Sequence, residues 1–336
     1  MSNTKIPTEK AAAKNTAWKQ RQLQRAQDTK DATKAPKRAE PKGFKSAVQA
    51  GVRKQPAPPM SAQRLPKPGS EARMHVKPNF LAPGYRGSGK LDNMVALITG
   101  GDSGIGRAVA VLMAREGANI AIAYLSSRED AATTKQYVEA EGAQCLLIAG
   151  DVRRAAFCNS AVARTVKKFG KLNILVNNAA YQQHADSLLD ISEGRFDETM
   201  RTNVYGYFHM AKAAIPHLPN GGCIINTGSV TGIRGSKNLL DYSATKGAIH
   251  AFTKALAANV LPMGIRVNAV APGPVWTPLN PAEKSAKDIV RFGADTDMHR
   301  PAQPEEISPA YIYLAAPCCS SYVTGIVLPI TGSVGA

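Results

Sequence analysis

From residue 91 onward, short apolar runs alternate with longer segments in which apolar residues recur every three or four positions. The runs are typical of buried strands, and the longer segments are typical of helices that bury one face. The predicted strands span 95–98, 119–124, 144–149, 173–176, 223–226, 265–270 and 325–330. The predicted helices span 104–116, 131–141, 155–169, 195–217, 242–260 and 304–316, and the helix at 195–217 is either continuous or broken near its start. This alternation predicts a parallel sheet covered on both faces, so 91–336 is expected to be a single doubly wound α/β domain of the Rossmann type.

The first 90 residues differ, since they hold 10 of the 22 prolines and few large apolar residues. Such a segment cannot bury enough apolar surface to offset the entropy of ordering it. Residues 8–30 are rich in Ala, Lys, Gln and Arg and could form a helix in isolation, but they show no apolar face. We therefore predict a disordered basic tail at 1–54 and an extended, largely irregular arm rich in Pro and Gly at 55–90.

The charge is unevenly divided along the chain. The whole sequence carries a net charge of +17, and residues 1–90 hold 20 Lys+Arg against 5 Asp+Glu. The basic segment has no aromatic interleaving and no nucleic-acid-binding module, so no specific nucleic-acid partner is expected. Its first 27 residues hold one acid, Glu9, as a mitochondrial transit peptide would. A solvated tail is the alternative that we favour.

The cysteines and histidines exclude several kinds of site. Five cysteines without a CxxC pair fit neither a disulfide framework nor zinc, and they indicate a reducing, cytoplasmic setting. Cys318 and Cys319 are predicted to be small buried residues rather than a redox pair. The histidines lack metal-ligand spacing, so no metal is expected. The uncharged stretch 307–336 is broken by prolines and predicted to be buried core rather than a membrane span.

A glycine-rich turn lies between the first predicted strand and the first predicted helix, with the sequence TGGDSGIG at 99–106. Its glycines allow the backbone to approach a pyrophosphate closely, and a helix N-terminus favours the negative charge. The flanking strand and helix favour a dinucleotide site over a tight turn without a ligand.

The end of the second predicted strand bears on the choice of cofactor. An acid there would accept a hydrogen bond from the ribose 2′-hydroxyl of NAD(H), but Tyr124 is followed by Leu-Ser-Ser-Arg. Ser126, Ser127 and Arg128 could receive the 2′-phosphate of NADP(H). The sequence therefore favours NADP(H), and an ordinary surface loop is the alternative.

Tyr242 and Lys246 are four residues apart at the start of a predicted helix, so they share one helix face. A neighbouring ammonium favours the phenolate, which would let Tyr242 exchange a proton with a hydroxyl or carbonyl group. Ser229 follows the fifth predicted strand, where its hydroxyl could hold the reacting oxygen. A surface Tyr–Lys pair and a serine that caps a turn are the alternatives.

Taken in order, TGGDSGIG, Asn177-Asn178-Ala179-Ala180, Asn203, Ser229, the Tyr242–Lys246 pair and Pro272-Gly273 resemble the short-chain dehydrogenase/reductase family. The resemblance covers about 55–336 and extends to the subgroup that includes glucose and ribitol dehydrogenase homologues and YghA-like and YhxC-like oxidoreductases. It implies a homotetramer.

The resemblance also implies roles for the matching residues. Tyr242 would be the general acid/base, Lys246 would bind the nicotinamide ribose and lower the pKa of Tyr242, and Ser229 would polarise the substrate carbonyl. Asn203 would hold a water in a proton relay, and Asp151 would meet the adenine. The full predicted cofactor set is Gly100, Asp102, Ser103, Gly104, Ile105, Gly106, Tyr124, Ser126, Arg128, Asp151, Val152, Asn178, Ala179, Ala180, Tyr242, Lys246, Pro272, Gly273, Val275 and Thr277.

Gln182 and Trp276 are the predicted substrate residues, and Trp276 either walls the pocket or packs within the loop that carries it. Together these features predict an NAD(P)-dependent oxidoreductase acting on a small alcohol, polyol, sugar, aldehyde or ketone. The alternative is a non-catalytic dinucleotide sensor or scaffold whose basic arm recruits a partner.

Overall fold

The computed structural model describes residues 8–33 and 43–335, so parts of the predicted tail lie outside the described residues. Seven parallel strands form a sheet in the order β3-β2-β1-β4-β5-β6-β7. This confirms the predicted doubly wound α/β fold, because the chain reverses direction across the sheet between β3 and β4. The strands are β1 (Val95–Thr99), β2 (Asn119–Tyr124), β3 (Cys145–Ala149), β4 (Ile174–Asn177), β5 (Cys223–Thr227), β6 (Arg266–Pro272) and β7 (Val327–Ile330).

Helices cover both faces of the sheet, as continuous apolar strands require. One buried cluster includes Leu112 and Ile312, and a second cluster includes Phe157 and Met210. The helices are α1 (Glu9–Ala32), α2 (Gly104–Arg115), α3 (Arg128–Ala140), α4 (Ala155–Phe169), α5 (Glu193–Met200), α6 (Gly206–Ala214), α7 (Thr231–Arg234), α8 (Leu240–Val260), α9 (Ala286–Ile289), α10 (Pro304–Ala315) and α11 (Pro317–Ser320).

The helix predicted at 195–217 is interrupted. A π-helical turn at Arg201–Tyr205 separates α5 from α6, and Asn203 lies within it. The buried Asn203 amide bonds to the backbone of Tyr181 and to the Thr245 hydroxyl. Single π turns inside helices occur frequently at functional sites.

Helix α1 is ordered and packed on the domain, whereas a disordered tail was expected at 1–54. Its Thr16, Gln20, Gln24 and Gln27 lie on one face, and each is at most 5% exposed. Gln24 shows how this face is held, since its amide donates to the carbonyls of Leu65 and Ala282. The helix is therefore docked on the domain mainly through hydrogen bonds, and the buried Ala13 and Ala17 add small apolar contacts.

The segment 43–94 is irregular apart from a short 3-10 turn at Glu71–Arg73. It packs Met60, Leu65 and Met74 into a third apolar cluster. Trp276 and Phe292 complete that cluster from the part of the chain that follows β6. The arm therefore braces the loops that overhang the carboxyl ends of the strands.

Two expectations about the C-terminal region are wrong. Cys318 and Cys319 are exposed, with their sulfur atoms 3.8 Å apart. Tyr322 and Val334 are also exposed, so 307–336 is not uniformly buried. Apolar composition alone does not show which residues lie at the rim of a sheet. Across residues 8–33 and 43–335, every helix is too short or too polar to cross a bilayer.

Candidate active site

A cavity of about 460 Å³ extends along the residues that follow β1 to β6. These carboxyl ends meet at one edge of a parallel sheet, which is where ligands bind in doubly wound folds. The lining contains 18 of the predicted residues: Gly100, Asp102, Ser103, Gly104, Ile105, Tyr124, Asp151, Val152, Asn178, Ala179, Ala180, Gln182, Tyr242, Lys246, Pro272, Gly273, Val275 and Thr277. The predicted residues outside the lining are Gly106, Ser126, Arg128, Asn203, Ser229 and Trp276.

The glycine-rich turn has the shape that a close ligand approach requires. Gly106 sits behind it, where an added Cβ would lie 2.1 Å from the Gly100 carbonyl oxygen. Gly100 has a φ of +64°, in the left-handed region that favours glycine. The turn thus presents backbone and the N-terminus of α2 to the cavity, which fits the pyrophosphate of a dinucleotide.

The arm supplies a buried carboxylate beside this turn. One oxygen of Glu71 accepts a 2.7 Å hydrogen bond from the Gly104 N–H, and the other pairs with Arg107. Burial raises the pKa of Glu71, and the Arg107 charge opposes that effect. A carboxylate at a helix N-terminus is electrostatically favourable, so the arm helps to hold α2 in place.

The part of the cavity next to the edge strand β3 is lined by the residues that follow that strand. Asp151 is 2% exposed and accepts hydrogen bonds from the Arg153 guanidinium. Thr16 of α1 also donates to Asp151, with a distance of 2.5 Å between Oγ1 and Oδ2. Neither spacing nor periodicity in the sequence links Thr16 to this site.

The end of β2 lies near one positively charged group and one carboxyl group from neighbouring segments. Tyr124 and Ser127 line the cavity, whereas the exposed Ser126 and Arg128 do not. Burial raises the pKa of Tyr124, the Arg128 charge lowers it, and the Asp102 charge raises it. Both charged groups therefore act on the place where a ribose substituent is expected.

Tyr242 and Lys246 lie in the first two turns of α8 and both line the cavity. Lys246 Nζ is 5.4 Å from the centre of the Tyr242 ring and donates a 2.6 Å hydrogen bond to the Thr227 carbonyl. Burial lowers the pKa of Lys246 to about 7. Burial raises the pKa of Tyr242, and a hydrogen bond with Ser229 lowers it.

Ser229 is 7% exposed and adjoins the cavity between Gly228 and Val230, which both line it. Its hydroxyl accepts from the backbone N–H and the hydroxyl of Thr231. The turn after β5 thus fixes the serine beside Tyr242.

Of the two predicted substrate residues, one lies in the cavity wall and the other lies outside it. Gln182 lines the cavity, and its carbonyl accepts a 2.5 Å hydrogen bond from the buried Lys67 ammonium. Trp276 is 1% exposed, packs at a tilt against the Phe292 ring and donates to the Val76 carbonyl. Of the two alternatives for Trp276, the structure shows packing.

Several lining residues were not singled out from the sequence. Most belong to the segments that follow β5 and β6, and the available signal was that these segments begin at the carboxyl ends of predicted strands. They include Thr16, Gln20, Pro68, Gly69, Leu125, Thr231, Arg234, Ser236, Leu239, Leu279, Asn280, Lys284 and Phe292.

Comparison with known proteins places these features in a family. The family model described as Enoyl-(Acyl carrier protein) reductase matches residues 100–333. Uncharacterized oxidoreductase YhxC of Bacillus subtilis is 50% identical over 283 residues, which cover 84% of this chain and 98% of that protein. Glucose and ribitol dehydrogenase homolog 2 of Arabidopsis thaliana is 45% identical over 274 residues, covering 80% of this chain and 94% of that protein.

A solved structure is similar in fold as well. The crystal structure of a short-chain dehydrogenase from Burkholderia cenocepacia in complex with NADP has a TM-score of 0.68 and 33% identity. It covers 74% of this chain and 100% of its own. With the sheet order, the glycine-rich turn and these matches in agreement, the chain belongs to the short-chain dehydrogenase/reductase family.

Proposed function

We propose that this chain is an NAD(P)-dependent oxidoreductase that transfers a hydride between nicotinamide and a small alcohol, polyol, sugar, aldehyde or ketone. One observation carries the proposal: a single cavity is lined by both the glycine-rich turn and the Tyr242–Lys246 pair. The name of the Arabidopsis relative, a glucose and ribitol dehydrogenase homolog, supports polyols and sugars as the substrate class.

Different residues in the cavity would bind the cofactor and transfer the proton. Residues 102–105, 178–180 and 272–277 would hold the cofactor, which supplies or accepts the hydride when bound. Tyr242 Oη would donate a proton to the substrate oxygen during reduction and remove it during oxidation. Since burial raises the pKa of Tyr242, the protonated acid is its resting form, and Lys246 in its protonated form would stabilise the phenolate.

Replacing the Tyr242 hydroxyl tests this assignment. Tyr242→Phe should reduce kcat for any substrate of the wild type by at least about 100-fold, because the proton donor is lost. Circular dichroism should stay unchanged, and the variant should still bind NADPH. Tyr313→Phe makes the same change on the exposed surface of α10 and should leave kcat unaltered. Turnover above a few per cent in Tyr242→Phe contradicts the mechanism.

We also propose a preference for NADP(H). Ser127 in the cavity wall and the Arg128 charge near Tyr124 support it, and the Burkholderia structure holds NADP. Calorimetric titration with NADPH and NADH should show tighter NADPH binding in the wild type. Arg128→Ala should weaken NADPH binding about 3- to 10-fold and leave NADH binding unchanged. Equal effects on both nucleotides contradict the preference.

We further propose a cytoplasmic homotetramer. The exposed Tyr205 in the π turn and Phe208 in α6 support association with further copies, and the five cysteines are free thiols. Light scattering should give four times the mass of one chain, and cell fractionation tests the location. A monomeric mass contradicts the assembly.

A further inference from the structure

Helix α1 precedes the part of the chain that the family model matches, which begins at residue 100. Even so, Thr16 and Gln20 line the same cavity as Gly100 and Tyr242. Thr16 is 2% exposed and Gln20 is 4% exposed. One wall of the cleft therefore comes from a helix outside the matched family region.

The contacts of α1 at this wall are specific. Thr16 donates to Asp151, and Gln20 Nε2 donates to Glu198 Oε1 over 3.1 Å. Arg153 joins the two carboxylates, since its guanidinium bonds to Asp151 and to Glu198. Buried carboxylates need such partners, so α1 contributes to satisfying the charges at the nucleotide end of the cleft.

The helix lines the cavity without filling it. A volume of about 460 Å³ remains with α1 docked. Further attachments of the helix lie away from the lining, and they include Gln24 with its backbone partners and Asp31, which pairs with His184. Helix α1 therefore forms part of the cavity wall and leaves the volume of the cavity open.

We propose that α1 is a component of the cofactor site, with Thr16 and Gln20 contacting the bound cofactor above Asp151 and Val152. The proposal rests on the proposed function, because it requires a nicotinamide nucleotide in this cleft. Docked α1 and bound cofactor then stabilise each other, since coupling between two binding events is reciprocal. If α1 instead competed with the cofactor, its docking would weaken cofactor binding.

Two full-length variants test whether α1 contributes to cofactor binding, and each has a matched control on the exposed face of α1. Thr16→Val removes the hydroxyl with little change of shape, and Thr29→Val makes the same change at an exposed residue whose hydroxyl bonds within the helix. Ala17→Gln places a larger side chain at a contact that is 2% exposed, and Ala26→Gln does so in solvent.

Equilibrium titrations with NADPH and with NADH measure the effect. Thr16→Val should weaken binding about 3- to 10-fold, as expected for one buried hydrogen bond. Ala17→Gln should weaken binding about 10-fold or more, because it separates the whole helix from the cleft. Both controls should bind like the wild type. Amide hydrogen exchange across Glu9–Ala32 should slow when NADPH is bound.

Unchanged or tighter binding in Ala17→Gln overturns the proposal, and so does faster exchange of α1 with NADPH bound. These results would leave the proposed function standing, because the wild type still binds nucleotide. A wild type that binds neither NADPH nor NADH overturns the proposed function and this proposal together.

Discussion

Asp102 lies in the glycine-rich turn, where burial raises the pKa of its carboxyl to about 7 and the nearby charge of Asp130 adds to the rise. Its charge reaches Tyr124 at the end of β2. An ionised carboxylate there would repel a 2′-phosphate, whereas the protonated form would not. The protonation state of this residue thus bears on the choice between NADPH and NADH.

Asp102→Asn should therefore tighten NADPH binding several-fold at about pH 8, where the wild-type carboxylate is largely ionised. At about pH 6 the gain should shrink, because the wild-type group is largely protonated. Fluorescence titration at both pH values measures this. Asp295→Asn makes the same substitution at an exposed position and should show no such difference. An equal gain at both pH values contradicts the prediction.

The spacing of Tyr242 and Lys246 was readable from the sequence because helix periodicity places residues four apart side by side. Their protonation was not readable, because it depends on burial. Lys246 is 1% exposed among groups from β5 and α6, and burial lowers its pKa to about 7. At the residue scale, the pairing of Tyr242 with Lys246 followed from residue identity and spacing, whereas the pKa of Lys246 followed from its buried surroundings.

At the scale of elements, the join between β1 and α2 depends on the absence of a side chain at Gly106. Gly106→Ala should weaken NADPH binding at least about 10-fold, because the new methyl group would meet the Gly100 backbone and displace the turn. Calorimetric titration measures the loss. Gly194→Ala at the start of α5 meets no atom within 4 Å and should bind NADPH like the wild type. Full affinity in Gly106→Ala contradicts the role of this turn.

The elements differ in how far the sequence could predict them. All seven strands were predicted because buried parallel strands are continuous apolar runs. Helix α1 was not predicted to dock, because its buried face consists of Thr, Gln and two alanines, and such a face gives no clear hydrophobic pattern. A break near the start of the helix at 195–217 was one alternative, but its position and its π-helical form at Arg201–Tyr205 reflect the tertiary bonds of Asn203.

At the scale of the whole molecule, α1 and the loop before α9 meet at His184. Its Nε2 lies 2.7 Å from Asp31, and its Nδ1 lies 3.1 Å from the buried Glu283. Burial lowers the pKa of His184, but hydrogen bonds and charges from both carboxylates outweigh it and raise the pKa. Lys284 and His184 in turn hold the pKa of Glu283 at about 2, against the effect of burial.

This cluster makes the stability of the protein depend on pH. A raised pKa means that His184 contributes stability below its unfolded pKa of about 6.5, and that the contribution is lost as pH rises through the folded value. His184→Gln should therefore lower the free energy of unfolding by about 1 kcal/mol near pH 6 and by less near pH 9. Thermal unfolding at both pH values measures the difference. His75→Gln, at an exposed histidine, is the control. If His184→Gln lowers the free energy of unfolding more near pH 9 than near pH 6, the predicted pH dependence is wrong.

The sequence by itself determined the sheet, its helices, the glycine-rich turn and the Tyr242–Lys246 pair, because each depends on short-range periodicity or spacing. Only the tertiary structure decided the course of α1, the packing of Trp276 and the partners of Glu71. Each of these depends on groups that lie far apart in the chain, such as Thr16 and Asp151. Hydrogen bonds between such groups leave no periodic signal, since either partner alone is an ordinary polar residue.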